Sequence, residues 1–285
     1  MSPPTASWCW LNGTVTPTRE AVIGVTDHGL TVGDGIFETM KVVDGVPFAL
    51  GRHLRRLRRS AAALELDVPL DDDGLRTACT EVLAAAAAAG DVAGRVRLTV
   101  TGGPGPAGSD RGDAGRTVLL VTGDQQTWEP ATAVATVPFT RNPGSGLAGV
   151  KSTSYAENVL ALARAHAAGA SEAIFADVDG RLSEGTGSNV FVVRDGALLT
   201  PSLATGCLAG ITRELVLEAT DAREVDDLTL DDLRGADEAF LTSSTRDVQA
   251  IATVDGRALP GPHPGPVTAA AAAAFAAVEA RTLDP

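Results

Sequence analysis

Apolar residues recur at helical spacing in two stretches of the first third of the chain. Between residues 50 and 64 they follow steps of four and three, which predicts an amphipathic helix with one buried stripe. The stripe consists of Leu50, Leu54, Leu57, Ala61 and Leu64. A second helix is predicted over about residues 72–89, ending at Gly90. Short apolar runs at 8–11, 40–43, 46–50, 96–101 and 117–122 predict strands, with hairpin turns at residues 12–13 and 44–45.

The second half of the chain alternates between strand and helix patterns. Strands are predicted at 133–139, 173–177, 189–193 and 238–242, and helices at 155–168, from residue 211 onwards, and in a closing alanine-rich segment. The polar stretch 123–130 predicts a linker between a smaller N-terminal domain (1–122) and a larger C-terminal domain (131–285). Hairpins mixed with helices favour an α+β or mixed α/β fold over a doubly wound parallel sheet.

Composition and charge narrow the class of protein. The chain has 285 residues, 44% of them hydrophobic, which supports a sizeable buried core. Its net charge of −13 repels phosphate backbones and anionic membranes, so neither nucleic acid nor membrane is an expected partner. Three dispersed cysteines, no secretory signal in residues 1–5, and no apolar run longer than 269–278 predict a cytoplasmic protein.

Several suggestive patterns are discounted. Gly103, Gly105 and Gly108 match a dinucleotide-binding glycine pattern, but two prolines interrupt it and no apolar helix follows. The arginines at 52, 55, 56 and 59 lie opposite the leucine stripe, so periodicity alone places them on a solvated helix face. The four histidines are scattered and no GxSxG elbow occurs, so neither a metal centre nor a serine hydrolase is expected.

Six further segments form one ordered set of motifs. They cover residues 27–38, 53–57, 149–155, 183–191, 206–213 and 240–245. In this order, between about residues 8 and 257, they resemble the fold-type IV family of pyridoxal phosphate enzymes, which includes branched-chain aminotransferases, D-amino acid aminotransferases and 4-amino-4-deoxychorismate lyases. The resemblance implies a two-domain architecture with pyridoxal 5′-phosphate between the domains, and a homodimer.

The chemistry of this cofactor explains three residue types. It needs an amine that forms a Schiff base and moves protons at Cα, and Lys151 matches the family's lysine, Lys41 being the only other lysine in the chain. The resemblance makes Glu184 the carboxylate that keeps the ring nitrogen protonated. It also makes Tyr155, four residues after Lys151, the partner of the phenolic oxygen.

The phosphate is expected where backbone N–H groups and a helix dipole converge. Gly210 precedes an apolar-periodic helix, so the amides of Ile211 and Thr212 and the Thr212 hydroxyl suit an anion. The resemblance adds an arginine from the N-terminal helix and a hydroxyl from a late loop, which correspond to Arg56 and Ser244. Periodicity does not select Arg56.

Substrate residues are less strongly indicated. The resemblance points to Phe37, Arg97, Ser243 and Thr245. D-amino acid enzymes carry a tyrosine at Phe37 and an arginine at Gly102, so their carboxylate trap is absent, whereas branched-chain enzymes have an arginine near Arg97. Arg97, or else Arg111 or Arg116 of the following loop, is the candidate for binding the substrate carboxylate.

The sequence therefore predicts an aminotransferase that moves an amino group between an amino acid and a 2-oxo acid through a Lys151 Schiff base. Chain length favours D-amino acids, because branched-chain enzymes tend to be longer. Three alternatives stay open: a lyase releasing 4-aminobenzoate and pyruvate, an aminotransferase for branched-chain L-amino acids, and a non-catalytic cofactor-binding protein.

Overall fold

A computed structural model describes residues 8–285, and the expected lack of a secretory signal in residues 1–5 concerns residues outside this range. The chain divides into two compact units. Unit 1 contains the described residues up to 126 together with 150–155 and 283–285, and unit 2 contains 127–149 and 156–282. The main division falls inside the polar stretch 123–130. A single boundary does not describe the chain, since the segment with Lys151 groups with unit 1.

Unit 1 contains an antiparallel sheet with the strand order β2-β1-β6-β5-β3-β4. Its strands are β1 (Trp8–Leu11), β2 (Thr14–Pro17), β3 (Gly35–Val43), β4 (Val46–Pro47), β5 (Arg95–Thr101) and β6 (Thr117–Gly123). Three helices accompany it: α1 (His28–Thr31), α2 (Leu50–Ala63) and α3 (Asp72–Ala88). The predicted leucine stripe of α2 lies in the core, where Leu54 and Leu57 are almost fully buried.

Unit 2 contains a larger mixed sheet with the order β12-β11-β10-β13-β14-β7-β8-β9, and β15 pairs with β14. Its strands are β7 (Ala131–Arg141), β8 (Glu172–Asp177), β9 (Leu182–Gly185), β10 (Asn189–Arg194), β11 (Ala197–Pro201), β12 (Arg223–Val225), β13 (Glu238–Ser243), β14 (Asp247–Val254) and β15 (Arg257–Ala258). Its helices are α4 (Ala156–Ala167), α5 (Ile211–Ala219), α6 (Leu230–Arg234) and α7 (Pro266–Arg281). The predicted mixed α/β class is confirmed.

Strands β8 and β10 form the centre of unit 2. All six residues of β8 are buried, and β10 is buried except for its last residue. Strands covered on both faces carry continuous apolar runs, which is why these two were recognisable from sequence. Within the described residues, each helix is too short or too polar to cross a bilayer.

Candidate active site

Main-chain hydrogen bonds hold Lys151 beside the start of β3. The Phe37 amide donates to the Lys151 carbonyl (2.9 Å), and the Thr153 amide donates to the Gly35 carbonyl (2.8 Å). A Cβ on Gly35 would lie 2.8 Å from the Val100 carbonyl oxygen and 3.0 Å from the Thr153 hydroxyl. Glycine at position 35 therefore lets two strands of backbone approach closely, and this contact fixes the backbone of the lysine.

Four of the sequence-predicted residues meet around the Phe37 ring, and we call them the lysine cluster: Phe37, Arg97, Lys151 and Tyr155. The Arg97 guanidinium carbon lies 3.6 Å from the ring centroid and the Lys151 Nζ lies 4.5 Å from it. The Tyr155 ring approaches edge-on, with centroids 5.4 Å apart. Phe37 is buried, whereas Lys151 and Tyr155 are half-buried. Arg97 and Lys151 thus both lie over the electron-rich ring of Phe37.

Arg97 has no acidic partner among the residues that the structure describes. Its neighbours are the Phe37 ring and Tyr155, and the residue itself is exposed. A guanidinium that is held by an aromatic ring and has no carboxylate partner is ready to bind one from a small molecule.

The opposite face of β3 carries a buried ionic cluster. Glu38 accepts hydrogen bonds from Arg56 Nε (2.9 Å), Arg56 Nη2 (2.6 Å) and His53 Nδ1 (2.7 Å). Burial alone would raise the pKa of Glu38, but the charge of Arg56 and the hydrogen bonds from Arg56 and His53 lower it to about 2. Burial lowers the pKa of His53, so the ring is neutral at neutral pH and donates through Nδ1.

The solvated position that periodicity gave Arg56 is therefore wrong, because its side chain is only 5% exposed. Helical periodicity predicts that leucines and arginines lie on opposite faces of α2, but it does not predict that Glu38 of the adjacent strand β3 binds one of these arginines. Arg55 and Arg59 are exposed as expected. The role of Arg56 in phosphate binding stays a prediction, since two of its guanidinium nitrogens bind Glu38.

Glu38→Gln should destabilise the protein by about 3 to 5 kcal/mol at neutral pH, because the buried Arg56 would lose the carboxylate that its Nε and Nη2 bind. The pKa of Glu38 is about 2 in the folded protein, against an ordinary 4.5. Its stabilising contribution is thus complete above pH 4.5 and is lost as the pH falls towards 2. Urea unfolding at several pH values checks this. The difference in unfolding free energy between Glu38→Gln and the wild type should become smaller as the pH falls. The control Glu20→Gln, at an exposed site, should have the same unfolding free energy as the wild type at every pH.

In unit 2, Glu184 lies at the end of β9 with both carboxylate oxygens engaged. Oε1 accepts from Arg141 Nε (3.0 Å) and Oε2 accepts from the Leu208 amide (2.9 Å). Arg141 also donates to Glu157 and Asn158 at the start of α4. A neighbouring guanidinium favours the charged form of a carboxyl group, so the arrangement maintains an anion at position 184.

The first turn of α5 offers an anion site. Among residues 8–285, no side chain caps its N-terminus, where Gly210 precedes the buried Ile211 and Thr212. A Cβ on Gly210 would collide with the Asn189 side-chain oxygen, so only glycine allows this approach. The open N–H groups and the dipole of a nine-residue helix favour a negatively charged group.

Thr242 adds a hydroxyl that the sequence reasoning missed. It pairs with Asn189 across β13 and β10, so both side chains lie on the same sheet face, and Asn189 touches the N-terminus of α5. Thr242 is 1% exposed, and its Oγ1 has no hydrogen-bond partner among the residues that the structure describes. A buried hydroxyl without a partner next to an open helix N-terminus indicates a missing polar ligand.

The remaining predicted residues are placed as follows. Ser243, Ser244 and Thr245 are half-buried in the turn between β13 and β14. Arg111 is not available for a substrate, because it forms a double hydrogen bond with Asp34 and also donates to the carbonyls of residues 64 and 65. Arg116 donates to the Gly102 carbonyl. Within residues 8–285, no group of His, Cys, Asp and Glu side chains is arranged to hold a metal ion.

Comparison with known proteins settles the family. The model of the family described as amino-transferase class IV matches residues 35–254. This chain belongs to the class IV aminotransferases. The enzyme is 34% identical over 267 residues to a putative branched-chain-amino-acid aminotransferase of Methanocaldococcus jannaschii, covering 91% of this chain and 92% of that one. It is 31% identical over 268 residues to a D-alanine aminotransferase of Bacillus licheniformis, covering 90% and 92%.

A solved structure gives the same result. A branched-chain amino acid aminotransferase from T.th., complexed with N-(5′-phosphopyridoxyl)-L-glutamate, aligns with a TM-score of 0.87 and 28% identity over 99% of this aminotransferase and 96% of that chain. The predicted fold-type IV architecture and the pyridoxal phosphate cofactor are thereby confirmed.

The residues present fit this cofactor. When bound, pyridoxal phosphate supplies an electron sink for the bonds at Cα of an amino acid. The open N-terminus of α5 and the unpartnered Thr242 hydroxyl suit its phosphate, and the anionic Glu184 suits a protonated ring nitrogen. Thr242, Arg141 and Glu38 were missed from sequence. Only Glu38 had a usable signal, a charged residue inside an otherwise apolar strand.

Proposed function

We propose that this class IV aminotransferase moves an amino group between an L-amino acid with a branched aliphatic side chain and a 2-oxo acid. The observation that carries the proposal is Arg97, which lies on the Phe37 ring that Lys151 also approaches and has no acidic partner among the described residues. An arginine in this strand is what the resemblance associates with branched-chain enzymes, and the arginine of D-amino acid enzymes is replaced by Gly102. Tyr155 lies in the same cluster. The resemblance associates it with a transaminase, because deoxychorismate lyases usually carry an arginine or another residue at this position.

The sequence-based preference for D-amino acids depended on chain length, and length no longer supports it. The aligned region covers 91% of this chain and 92% of the Methanocaldococcus jannaschii enzyme, so a relative named as a branched-chain enzyme has nearly the same size. The D-alanine aminotransferase of Bacillus licheniformis is covered equally well. Length therefore does not separate the two donor classes, and the placement of Arg97 decides our proposal.

We assign the following roles. Lys151 would bind the cofactor and move the proton at Cα of the substrate through its Nζ. Glu184 would hold the proton on the ring nitrogen, and Tyr155 would donate to the phenolic oxygen. The phosphate would be bound by Arg56, the amides of residues 211 and 212, and the hydroxyls of Thr212, Thr242 and Ser244. Phe37, Ser243 and Thr245 would line the substrate side.

Arg97→Ala should lower kcat/KM for amino acids and 2-oxo acids by about 30-fold or more, since losing a charged contact to a carboxylate costs roughly 2 to 5 kcal/mol. Cofactor retention should be nearly unchanged, because no proposed phosphate ligand is altered. Stopped-flow half-reactions with L-leucine and D-alanine measure the loss for each donor. The matched control is Arg95→Ala, which removes the same charge two residues earlier in β5.

Three results would contradict the proposal. Unchanged kcat/KM in Arg97→Ala, with loss in Arg116→Ala, would move carboxylate binding to the loop. Turnover of D-alanine but not of L-leucine by the wild type would restore the D-amino acid assignment. Release of 4-aminobenzoate from aminodeoxychorismate, without transamination of either enantiomer, would establish the lyase.

We also propose a homodimer in solution. The segment 21–32 of unit 1 exposes Val22 (80%), Val25 (81%) and Leu30 (69%), and α4 exposes Val159 and Leu160. Large exposed apolar side chains concentrated within one segment, as in 21–32, are uncommon on the surface of a monomer and typical of an interface. Light scattering after gel filtration should give twice the chain mass of 29.0 kDa, and a stable monomer would contradict the proposal.

A further inference from the structure

A buried carboxylate of unit 2 is not used by any of the roles above. Glu172, the first residue of β8, is 2% exposed. Its Oε1 accepts from the amides of Ala173 (3.1 Å) and Thr186 (3.0 Å) and from the Thr186 hydroxyl, and its Oε2 accepts from the Ser188 hydroxyl (3.0 Å). Most of these donors lie in the turn that follows Glu184. One carboxylate thus determines the shape of that turn.

The turn is wrapped closely around the carboxylate. A Cβ on Gly185 would collide with the Ser188 hydroxyl and would lie 3.1 Å from the Glu172 carboxyl carbon. The same turn leads into Asn189, whose side chain touches the N-terminus of α5. A change in the turn would therefore displace residues at both of its ends, Glu184 and Asn189.

Glu172 is also connected to the turn between β13 and β14. Arg246 Nη2 lies 3.7 Å from Glu172 Oε2, and both side chains are buried. The Arg246 guanidinium stacks on Trp128 at 3.5 Å and donates to Gln249 (2.5 Å). The Arg246 amide donates to the Ser243 hydroxyl (3.1 Å). Arg246 thus fixes the turn that carries Ser243 and Ser244.

We infer that Glu172 and Arg246 are positioning residues that set Glu184 and the Ser243–Ser244 hydroxyls relative to each other within unit 2, and so match the spacing between the ring nitrogen and the phosphate of the cofactor. The inference depends on the proposed roles of Glu184 and Ser244. Neither residue of the pair is assigned a contact with the cofactor.

The energetics of burial support this reading. Withdrawing two charges from water is costly, and an apolar pair of similar volume is often as stable as a buried ion pair. Stability alone therefore does not require a carboxylate and a guanidinium here. An apolar pair, however, could neither accept the hydrogen bonds of the turn after Glu184, as Glu172 does, nor donate to the β13–β14 hairpin, as Arg246 does.

Two variants and two probes test the inference on the full-length protein freed of cofactor. Pyridoxal 5′-phosphate probes the ring and phosphate sites together, and pyridoxal, which lacks the phosphate, probes the ring site alone. Arg246→Met keeps the backbone bond to the Ser243 hydroxyl but removes the guanidinium that joins the hairpin to Gln249 and to the carbonyl of residue 171. It should therefore loosen the hairpin, weaken binding of pyridoxal 5′-phosphate roughly 10-fold and leave binding of pyridoxal unchanged. Glu172→Gln should weaken both probes roughly 10-fold and shift the pH dependence of the bound cofactor's absorbance.

A matched control removes a carboxylate of purely structural function. Glu238 accepts from the amides of Val267 (3.0 Å) and Thr268 (2.8 Å) and so caps α7 in the same unit. Glu238→Gln should lower the melting temperature without changing either affinity or the absorbance profile. If Glu172→Gln does not fold, Ser188→Ala removes one donor to Glu172 and keeps both charges of the Glu172–Arg246 pair. It should weaken binding of both probes.

Three outcomes would overturn the inference. Affinities and absorbance profiles that are no more affected in Arg246→Met and Glu172→Gln than in Glu238→Gln would show a merely structural pair. If Arg246→Met weakens binding of pyridoxal and of pyridoxal 5′-phosphate equally, Arg246 does not act on the phosphate site. A wild-type protein that binds neither probe would overturn the proposed function as well, so the two failures are distinguishable.

Discussion

Lys151→Ala is expected to abolish covalent attachment of pyridoxal phosphate and to lower transamination by roughly 10⁴-fold or more, because the variant loses both the linking amine and the group that moves the proton at Cα. The fold should persist. The backbone contacts of residue 151 with Phe37 and Ser60 involve its carbonyl and amide, which alanine retains. Absorbance of the bound cofactor and single-turnover kinetics measure the two losses.

The small number of lysines makes this experiment unusually clear. Lys41 is the only other lysine in the chain, and it is buried with its Nζ 5.2 Å from the Phe48 ring centroid. Borohydride reduction followed by peptide mass mapping should find the cofactor on Lys151 in the wild type and on neither lysine in Lys151→Ala. Label on Lys41, or unchanged turnover of the variant, would refute the assignment.

Glu184→Gln should retain the cofactor but slow proton transfer at Cα by roughly 10²- to 10³-fold, because a neutral amide does not hold a proton on the ring nitrogen. The local structure predicts a second effect. Arg141, which now donates to Glu184, would face an amide and keep only Glu157 as an anionic partner among the described residues. Half-reaction rates and the nitrogen-15 shift of the bound cofactor's ring nitrogen report the two effects separately.

Glu157→Gln is the matched control for Glu184. It removes the other carboxylate that binds Arg141, at a half-exposed position in the first turn of α4. The control should leave the rate of proton transfer nearly unchanged. Equal rates in Glu184→Gln and the wild type, or an equal loss in the control, would show that position 184 has been misassigned.

Sequence patterns predicted best those elements whose burial is periodic. The helix predicted at 50–64 is observed as Leu50–Ala63, and the strand predicted at 173–177 is observed as Glu172–Asp177. The first half of β3 was missed. Its start at Gly35 lies in a glycine-rich stretch that indicates a loop, and only the close approach of residue 153 explains why glycine is extended there.

Sequence patterns predict less of the candidate site, because its contacts depend on tertiary packing. Ordered motifs predict the roles of Lys151 and Glu184, because the chemistry demands those residue types. The contacts around the site join residues from different elements. Glu38 of β3 and Arg56 of α2, for example, are 18 residues apart. Whether two such residues pair depends on how α2 packs on β3, and the hydrophobic pattern of the sequence does not predict that packing.

The path of the chain between the two units affects how this enzyme can be engineered. The Lys151 segment 150–155 and the last three residues return to unit 1, so exchanging unit 1 for that of a relative requires four junctions, after residues 126, 149, 155 and 282. A chimera built with one junction in the linker would combine a foreign β3 with the native lysine segment. The residue at position 35 of the foreign strand and the Thr153 hydroxyl of the native segment would no longer be matched, and Lys151 would lose its register against β3. Recombination libraries should therefore treat 33–37 and 150–155 as a single inherited block.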